Sequence, residues 1–305
     1  MKGLSLSRIG SIVVPSITPY DDDLMVNVKE MEELAARFAR EGITVFVSGT
    51  TGEMTLLLPE EKKKLVQAAK KGAAGRVPVL VGSGWPNPYL VLEEARSLEE
   101  AGADIVVVPP PYYYPIPQYS IVGFYQWLSR RLRIPLLLYT IPSHTGVEVS
   151  VDTILSLSRE ENIIGVKATV PDIQFQSKLI REVKKHNPEF LVYSGLDSLL
   201  LFNLSSGGDG GVVAGCNLTP KLHAELLEEW RSGNVKRVEK LNQLIQRIAW
   251  ILEPARTIQG GIKTILAREG IIGNDLVRPP LPLEDDISRK QVVERWQESG
   301  LRDYL

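Results

Sequence analysis

Lys167 sits inside an apolar run, Ile163-Ile164-Gly165-Val166-Lys167-Ala168-Thr169, which Pro171-Asp172 closes. A short apolar run bounded in this way reads as a buried parallel strand. An ammonium there is costly unless it is paired or deprotonated. Burial favours the neutral form of a lysine, and a neutral amine attacks carbonyls. An imine with a ketone is an electron sink, so the adjacent carbon readily loses a proton or a carbon substituent. Taken by itself, the stretch also fits a strand-end lysine that snorkels to solvent.

Other residues fit the same chemistry. Tyr139 ends an apolar run, and its phenol could shuttle a proton if a hydroxyl such as that of Thr51 bonds to it. Thr50 and Thr51 lie between Gly49 and Gly52, ahead of Glu53 and a helix opened by Pro59. Glycines at a helix entry expose backbone N–H groups, a good seat for a carboxylate. No carboxylate pair accompanies these residues, and no cluster has metal-ligand spacing. Each also has a plainer reading. Tyr139 could be packing, Thr50 and Thr51 a turn cap, and Tyr112-Tyr113-Tyr114 an interface loop. Glu53 reads as a helix-start charge, His186 and His223 as solvated, and Cys216 as a small buried residue.

The elements that carry these residues repeat. Apolar strand runs fall at 12–17, 43–47, 77–81, 104–108, 134–139, 163–169, 190–193 and 211–214. A helical pattern follows each one. Asn27 with Glu30 reads as a capping box; Ser150, Asp172 and Asp197 read as caps. Eight strand-then-helix units are the number that closes a (β/α)8 TIM barrel, an α/β fold with its chemistry at the C-terminal strand ends. An open doubly wound sheet would carry a glycine-rich phosphate turn after its first strand, where this chain has Thr18-Pro19-Tyr20. Gly207 to Gly211 precedes a strand instead of following one and reads as a turn. The expected division is a barrel over 1–233 and a C-terminal helical extension over 234–305, with breaks near Pro254 and Gly260-Gly261. The extension adds apolar surface suited to subunit contacts.

Composition narrows the class. The 305 residues carry a net charge of -2, without the basic excess of a nucleic-acid binder. One cysteine rules out an intrachain disulfide framework. The start, with Lys2, Arg8 and a short run broken by Pro15, makes a poor signal peptide. No stretch is long enough to span a membrane. The expectation is a soluble cytoplasmic protein.

Four segments then carry a resemblance. Gly49-Thr50-Thr51-Gly52-Glu53, Pro111-Tyr112-Tyr113-Tyr114, Tyr139 through Gly146, and Gly165-Val166-Lys167 resemble the dihydrodipicolinate synthase / N-acetylneuraminate lyase family. These are pyruvate-dependent class I aldolases, and the likeness covers nearly the whole chain. It implies a homotetramer built as a dimer of dimers, with no metal and no organic cofactor. It implies that Lys167 forms the Schiff base with pyruvate and that Tyr139 relays protons. Thr50 and Thr51 would hold the carboxylate and join the relay. Tyr113 would reach into a neighbouring subunit's site, and Gly195 and Val213 would line the pyruvate pocket.

The departures bear on the substrate. His144 stands where dihydrodipicolinate synthases carry an arginine that grips aspartate semialdehyde, and a histidine cannot make that bidentate clamp. Thr140 replaces the usual asparagine. The tyrosine loop and Val212 through Pro220 look more like 2-keto-3-deoxygluconate aldolases, whereas Glu53 is more typical of the synthases and lyases. Met54, Pro59 and Lys62 do not match the positions that bind feedback lysine. The expectation is a class I lyase that cleaves a 2-keto-3-deoxy sugar acid to pyruvate and an aldehyde. The second choice is dihydrodipicolinate synthase. The third is a catalytically silent ligand-binding barrel.

Overall fold

A computed structural model describes residues 9–305, so Lys2 and Arg8 lie outside the described residues. Eight parallel strands close into a barrel in chain order. They are β1 (Ile12–Pro15), β2 (Thr44–Val47), β3 (Val79–Gly82), β4 (Ile105–Val108), β5 (Leu136–Thr140), β6 (Ile163–Ala168), β7 (Leu191–Ser194) and β8 (Gly210–Val212). Around them run α1 (Val28–Arg40), α2 (Pro59–Ala73), α3 (Pro88–Glu100), α4 (Gln118–Ser129), α5 (Pro142–Thr145), α6 (Val151–Leu157), α7 (Ile173–His186), α8 (Leu200–Ser205) and α9 (Pro220–Ser232). The extension adds α10 (Val235–Leu252), α11 (Ile258–Arg268) and α12 (Asp286–Glu298).

The apolar runs become strands because both faces of a barrel strand are covered. All four residues of β4 are fully buried. Alternate side chains go to two cores. Val13, Phe46, Leu80, Ile105, Leu137 and Tyr193 belong to the cluster inside the barrel. Val14, Val45, Val79, Val81 and Val106 belong to the layer under the helices. α1 buries Met31, Leu34, Ala35 and Phe38 on one face. Each large side chain of that face contributes about 1.5–3 kcal/mol. The seam between β1 and β8 is short, pairing Ile12 with Gly211 and Val13 with Val212. Gly210 feeds it with φ +127, and a Cβ there would lie 1.9 Å from the Ser11 carbonyl oxygen.

Several local expectations change. Asn27 caps α1 through Glu30 N–H, but the Glu30 carboxylate accepts from Gly273 N–H at 2.9 Å, so the reciprocal half of the capping box is absent. Asp197 caps no helix; its carboxylate accepts from Ala214 and Gly215 N–H and holds the turn after β8. His223 is fully buried rather than solvated, with Nδ1 2.8 Å from the Thr219 carbonyl. Gly260 and Gly261 do not break the extension. They lie inside α11, where a Cβ would meet Glu284 Oε1 at 2.5 Å and the Ala255 Cβ at 2.7 Å respectively. Ser150 and Asp172 do cap α6 and α7, and Cys216 is buried.

Candidate active site

Parallel pairing brings the catalytic candidates together. Tyr139 on β5 is in register with Lys167 on β6, and Lys167 with Tyr193 on β7. Residues in register on neighbouring strands share a face. The Lys167 Nζ lies 4.3 Å from the centre of the Tyr139 ring and 5.5 Å from that of Phe46. The Tyr139 hydroxyl is 2.9 Å from Thr50 Oγ1, in the turn after β2. A lysine amine, a phenol and a threonine hydroxyl thus form one chain across three strand ends.

Lys167 is one of three buried lysines among the described residues, with Lys62 and Lys263. The other two are ion-paired. Lys62 Nζ is 2.9 Å from Glu94, and Lys263 bonds Glu53. Among the described residues Lys167 has no carboxylate partner; its neighbours are aromatic rings. The absence of a carboxylate partner sets Lys167 apart from the other two and makes it the candidate nucleophile of the three.

The remaining candidates fall around it. Thr51, the hydroxyl expected on Tyr139, is buried beside Thr50, and it is Thr50 that makes that bond. A Cβ at Gly195 would lie 1.9 Å from Thr169 Oγ1 and 3.1 Å from Lys167 Cε, so only glycine lets Thr169 pack this closely beside the lysine stem. Thr169 Oγ1 is itself buried without a hydrogen-bond partner among the described residues. His144, on the short helix α5, is exposed, with Nδ1 3.0 Å from Ser143 Oγ. Partial burial and the Lys167 charge lower its pKa, which favours the neutral imidazole. Val213 is fully buried in the layer under the helices, with its N–H on the Val13 carbonyl. Tyr113 lies apart from this cluster. It is 83% exposed at φ +87 and packs edge-on against Tyr114.

Glu53 is a brace between barrel and extension. It adopts the left-handed conformation (φ 60) and its carboxylate is buried. Besides Lys263, it accepts from Arg278 N–H at 2.8 Å and from the Tyr20 hydroxyl at 3.3 Å. Sequence reasoning also missed Gln259, whose side-chain amide donates to the Thr50 carbonyl at 2.9 Å. Its partner is 209 positions away, and no local pattern encodes that contact.

No group of three or more His, Cys, Asp or Glu residues placed to hold a metal occurs among the described residues. None of the described helices is long and apolar enough to cross a membrane.

The chain is 32% identical over 293 residues to the 4-hydroxy-tetrahydrodipicolinate synthase of Bartonella henselae, covering 95% of this chain and 97% of that one. It is 29% identical over 245 residues to the probable 2-dehydro-3-deoxy-D-pentonate aldolase YjhH of Escherichia coli K12, covering 80% and 81%. The structure of YagE from Escherichia coli K12, a prophage protein of the dihydrodipicolinic acid synthase family in complex with pyruvate, superposes with a TM-score of 0.91 at 27% identity, covering 95% of this chain and 99% of that one. Enzymes of this family are carbon–carbon lyases that work through a lysine–pyruvate Schiff base without an external cofactor. Residues 8–298 match the dihydrodipicolinate synthetase family, and the chain belongs to it as a class I pyruvate-dependent aldolase or lyase.

Proposed function

We propose that the protein cleaves a 2-keto-3-deoxy sugar acid, such as 2-keto-3-deoxygluconate, to pyruvate and an aldehyde, with Lys167 as the imine-forming residue. The observation that carries this is the buried, carboxylate-free Lys167 amine against the Tyr139 ring, with Tyr139 bonded to Thr50. The amine adds to the C2 ketone and water leaves. The C4 hydroxyl gives up its proton and the C3–C4 bond breaks. Its electrons pass into the iminium, which releases the aldehyde and leaves an enamine. Protonation at C3 and hydrolysis release pyruvate. Tyr139 is placed to relay these protons through Thr50. Thr50 and Thr51 hold the carboxylate, and Gly195 borders the pyruvate pocket, whereas the Val213 side chain faces the helix layer and could border it only through its backbone.

His144 supports a sugar acid over aspartate semialdehyde. A neutral imidazole offers hydrogen bonds to hydroxyls but no bidentate grip on a carboxylate. The unpartnered Thr169 hydroxyl beside Lys167 supports a polyol too. One relative is named a probable aldolase of 2-dehydro-3-deoxy-D-pentonate, a sugar acid of the same class. Dihydrodipicolinate synthase is the second reading, supported by the Bartonella relative and the Gly49–Glu53 motif. In a homotetramer, the exposed Tyr113 and Tyr114 would meet a second copy, and Tyr113 would enter its site.

The test is pyruvate release from 2-keto-3-deoxygluconate, followed with a pyruvate-specific coupled assay. Release is expected. No release, together with condensation of pyruvate and aspartate semialdehyde, would overturn the sugar-acid reading. If wild-type protein also gives no borohydride-trapped pyruvate, the chain is a silent barrel.

Lysine feedback is a separate question. The Lys62 ammonium is spent on Glu94, lies 5.7 Å from the centre of the Trp85 ring, and shares Glu94 with the Ser83 hydroxyl. An incoming lysine ammonium would find that carboxylate already taken. Activity is expected to be unchanged by lysine at millimolar concentrations. A clear, saturable drop would refute this.

A further inference from the structure

We propose that Gln259 is a positioning residue, and that α11 of the C-terminal extension aims the Thr50–Tyr139 relay from outside the barrel. The proposal rests on the reading that Lys167 forms the imine and Tyr139 moves its protons.

Gln259 and Lys263 are four residues apart on α11 and so share one helical face. That face holds both ends of one turn. Gln259 Nε2 donates to the Thr50 carbonyl at 2.9 Å. Lys263 bonds the Glu53 carboxylate, three residues further on. The first of those ends, Thr50, is the threonine whose hydroxyl meets Tyr139 at 2.9 Å. The start of α11 is fixed in turn. Thr257 caps it through Gly260 N–H, and Glu284 accepts from Arg256 and Thr257 N–H.

The Gln259 contact is directional and not needed to satisfy a buried group. The Thr50 carbonyl already accepts from Glu53 N–H at 3.1 Å within its own turn. The glutamine supplies a second donor on the remaining lone pair. Without it the turn keeps its own hydrogen bond, its Lys263 brace and its fold, but the Thr50 peptide is free to rock. Rocking that peptide swings the hydroxyl facing Tyr139. A displacement of about 1 Å in a catalytic contact costs on the order of a hundredfold in rate.

The experiment needs no aldehyde partner. Wild type, Gln259→Met and Gln259→Glu are compared by exchange of the pyruvate methyl protons with solvent deuterium, read by NMR. The same proteins are reduced with borohydride in the presence of pyruvate. Exchange measures proton transfer between imine and enamine; trapping at equilibrium measures the imine itself. Expected is a tenfold to hundredfold fall in exchange for both variants near neutral pH, with trapping retained. Gln259→Glu should recover exchange as the pH falls and its carboxyl becomes a donor; Gln259→Met should not. A purely structural role would give no such pH-dependent difference between the two.

Exchange equal to wild type in both variants would overturn the proposal. So would an equal fall at every pH, or loss of the folded state in both. A wild type that traps no pyruvate would instead overturn the imine reading, and this inference with it.

Discussion

Replacing Lys167 with alanine is expected to lower kcat for pyruvate release by on the order of 10⁴-fold or more, because the covalent route closes entirely. Lys167→Met is the better control, since it keeps most of the volume between the Tyr139 and Phe46 rings. Neither change strands a buried carboxylate, as Lys167 has no acidic partner among the described residues. The methionine variant is therefore expected to melt at or above the wild-type temperature while losing turnover. Borohydride with labelled pyruvate should mark wild type on a single peptide, the one containing Lys167. Label on Lys62 or Lys263, or full turnover in Lys167→Met, would sink the assignment.

The second large effect is on stability. Lys263→Met and Glu53→Gln are each expected to cost about 3–5 kcal/mol, the usual result of leaving one member of a buried pair behind. Denaturant midpoints would measure it. Glu53→Gln is the milder of the two, because the amide can still accept from Arg278 N–H. A loss below about 1 kcal/mol in both would mean that the site opens to water.

The pair also gives a signed pH dependence. Burial lowers the Lys263 amine from 10.5 to about 8, against the opposing pull of Glu53. The folded value thus lies below the unfolded one. Between about pH 8 and 10.5 the unfolded chain holds the extra proton, so this group adds stability as pH rises through that window. Wild type should therefore gain on Lys263→Met over that range. Parallel pH profiles for the two proteins would refute the shift.

The barrel was legible because its strands are buried on both sides. Runs such as Ile105 to Val108 leave little choice of partner, and each is followed by helical periodicity. Lys167 and Tyr139 were legible because strand ends are the only polar interruptions in those runs. Their juxtaposition is a matter of register, which the pairing of β5 and β6 supplies. What stayed hidden depends on distant partners. Glu30 left its capping box for Gly273, 243 positions on, and Asp197 turned to Ala214 and Gly215 N–H, 17 and 18 positions on and past the next strand. His223 follows the same rule in reverse. A helical histidine looks solvated until a layer of structure is laid over it. Gly260 and Gly261 read as breakers because glycine weakens helices, but close packing against Glu284 and Ala255 prefers no side chain at all.

The turn after β2 is clamped by residues that follow it by more than two hundred positions. A ribosome therefore releases the amine and the phenol well before it releases the helix that braces the turn beside the phenol. Until α11 emerges and docks, a nascent barrel presents Lys167 with an unbraced Thr50. On the proposal that α11 aims the relay, competence waits for that helix. A chain cut before Ile258 retains all eight described strands of the barrel while lacking that brace.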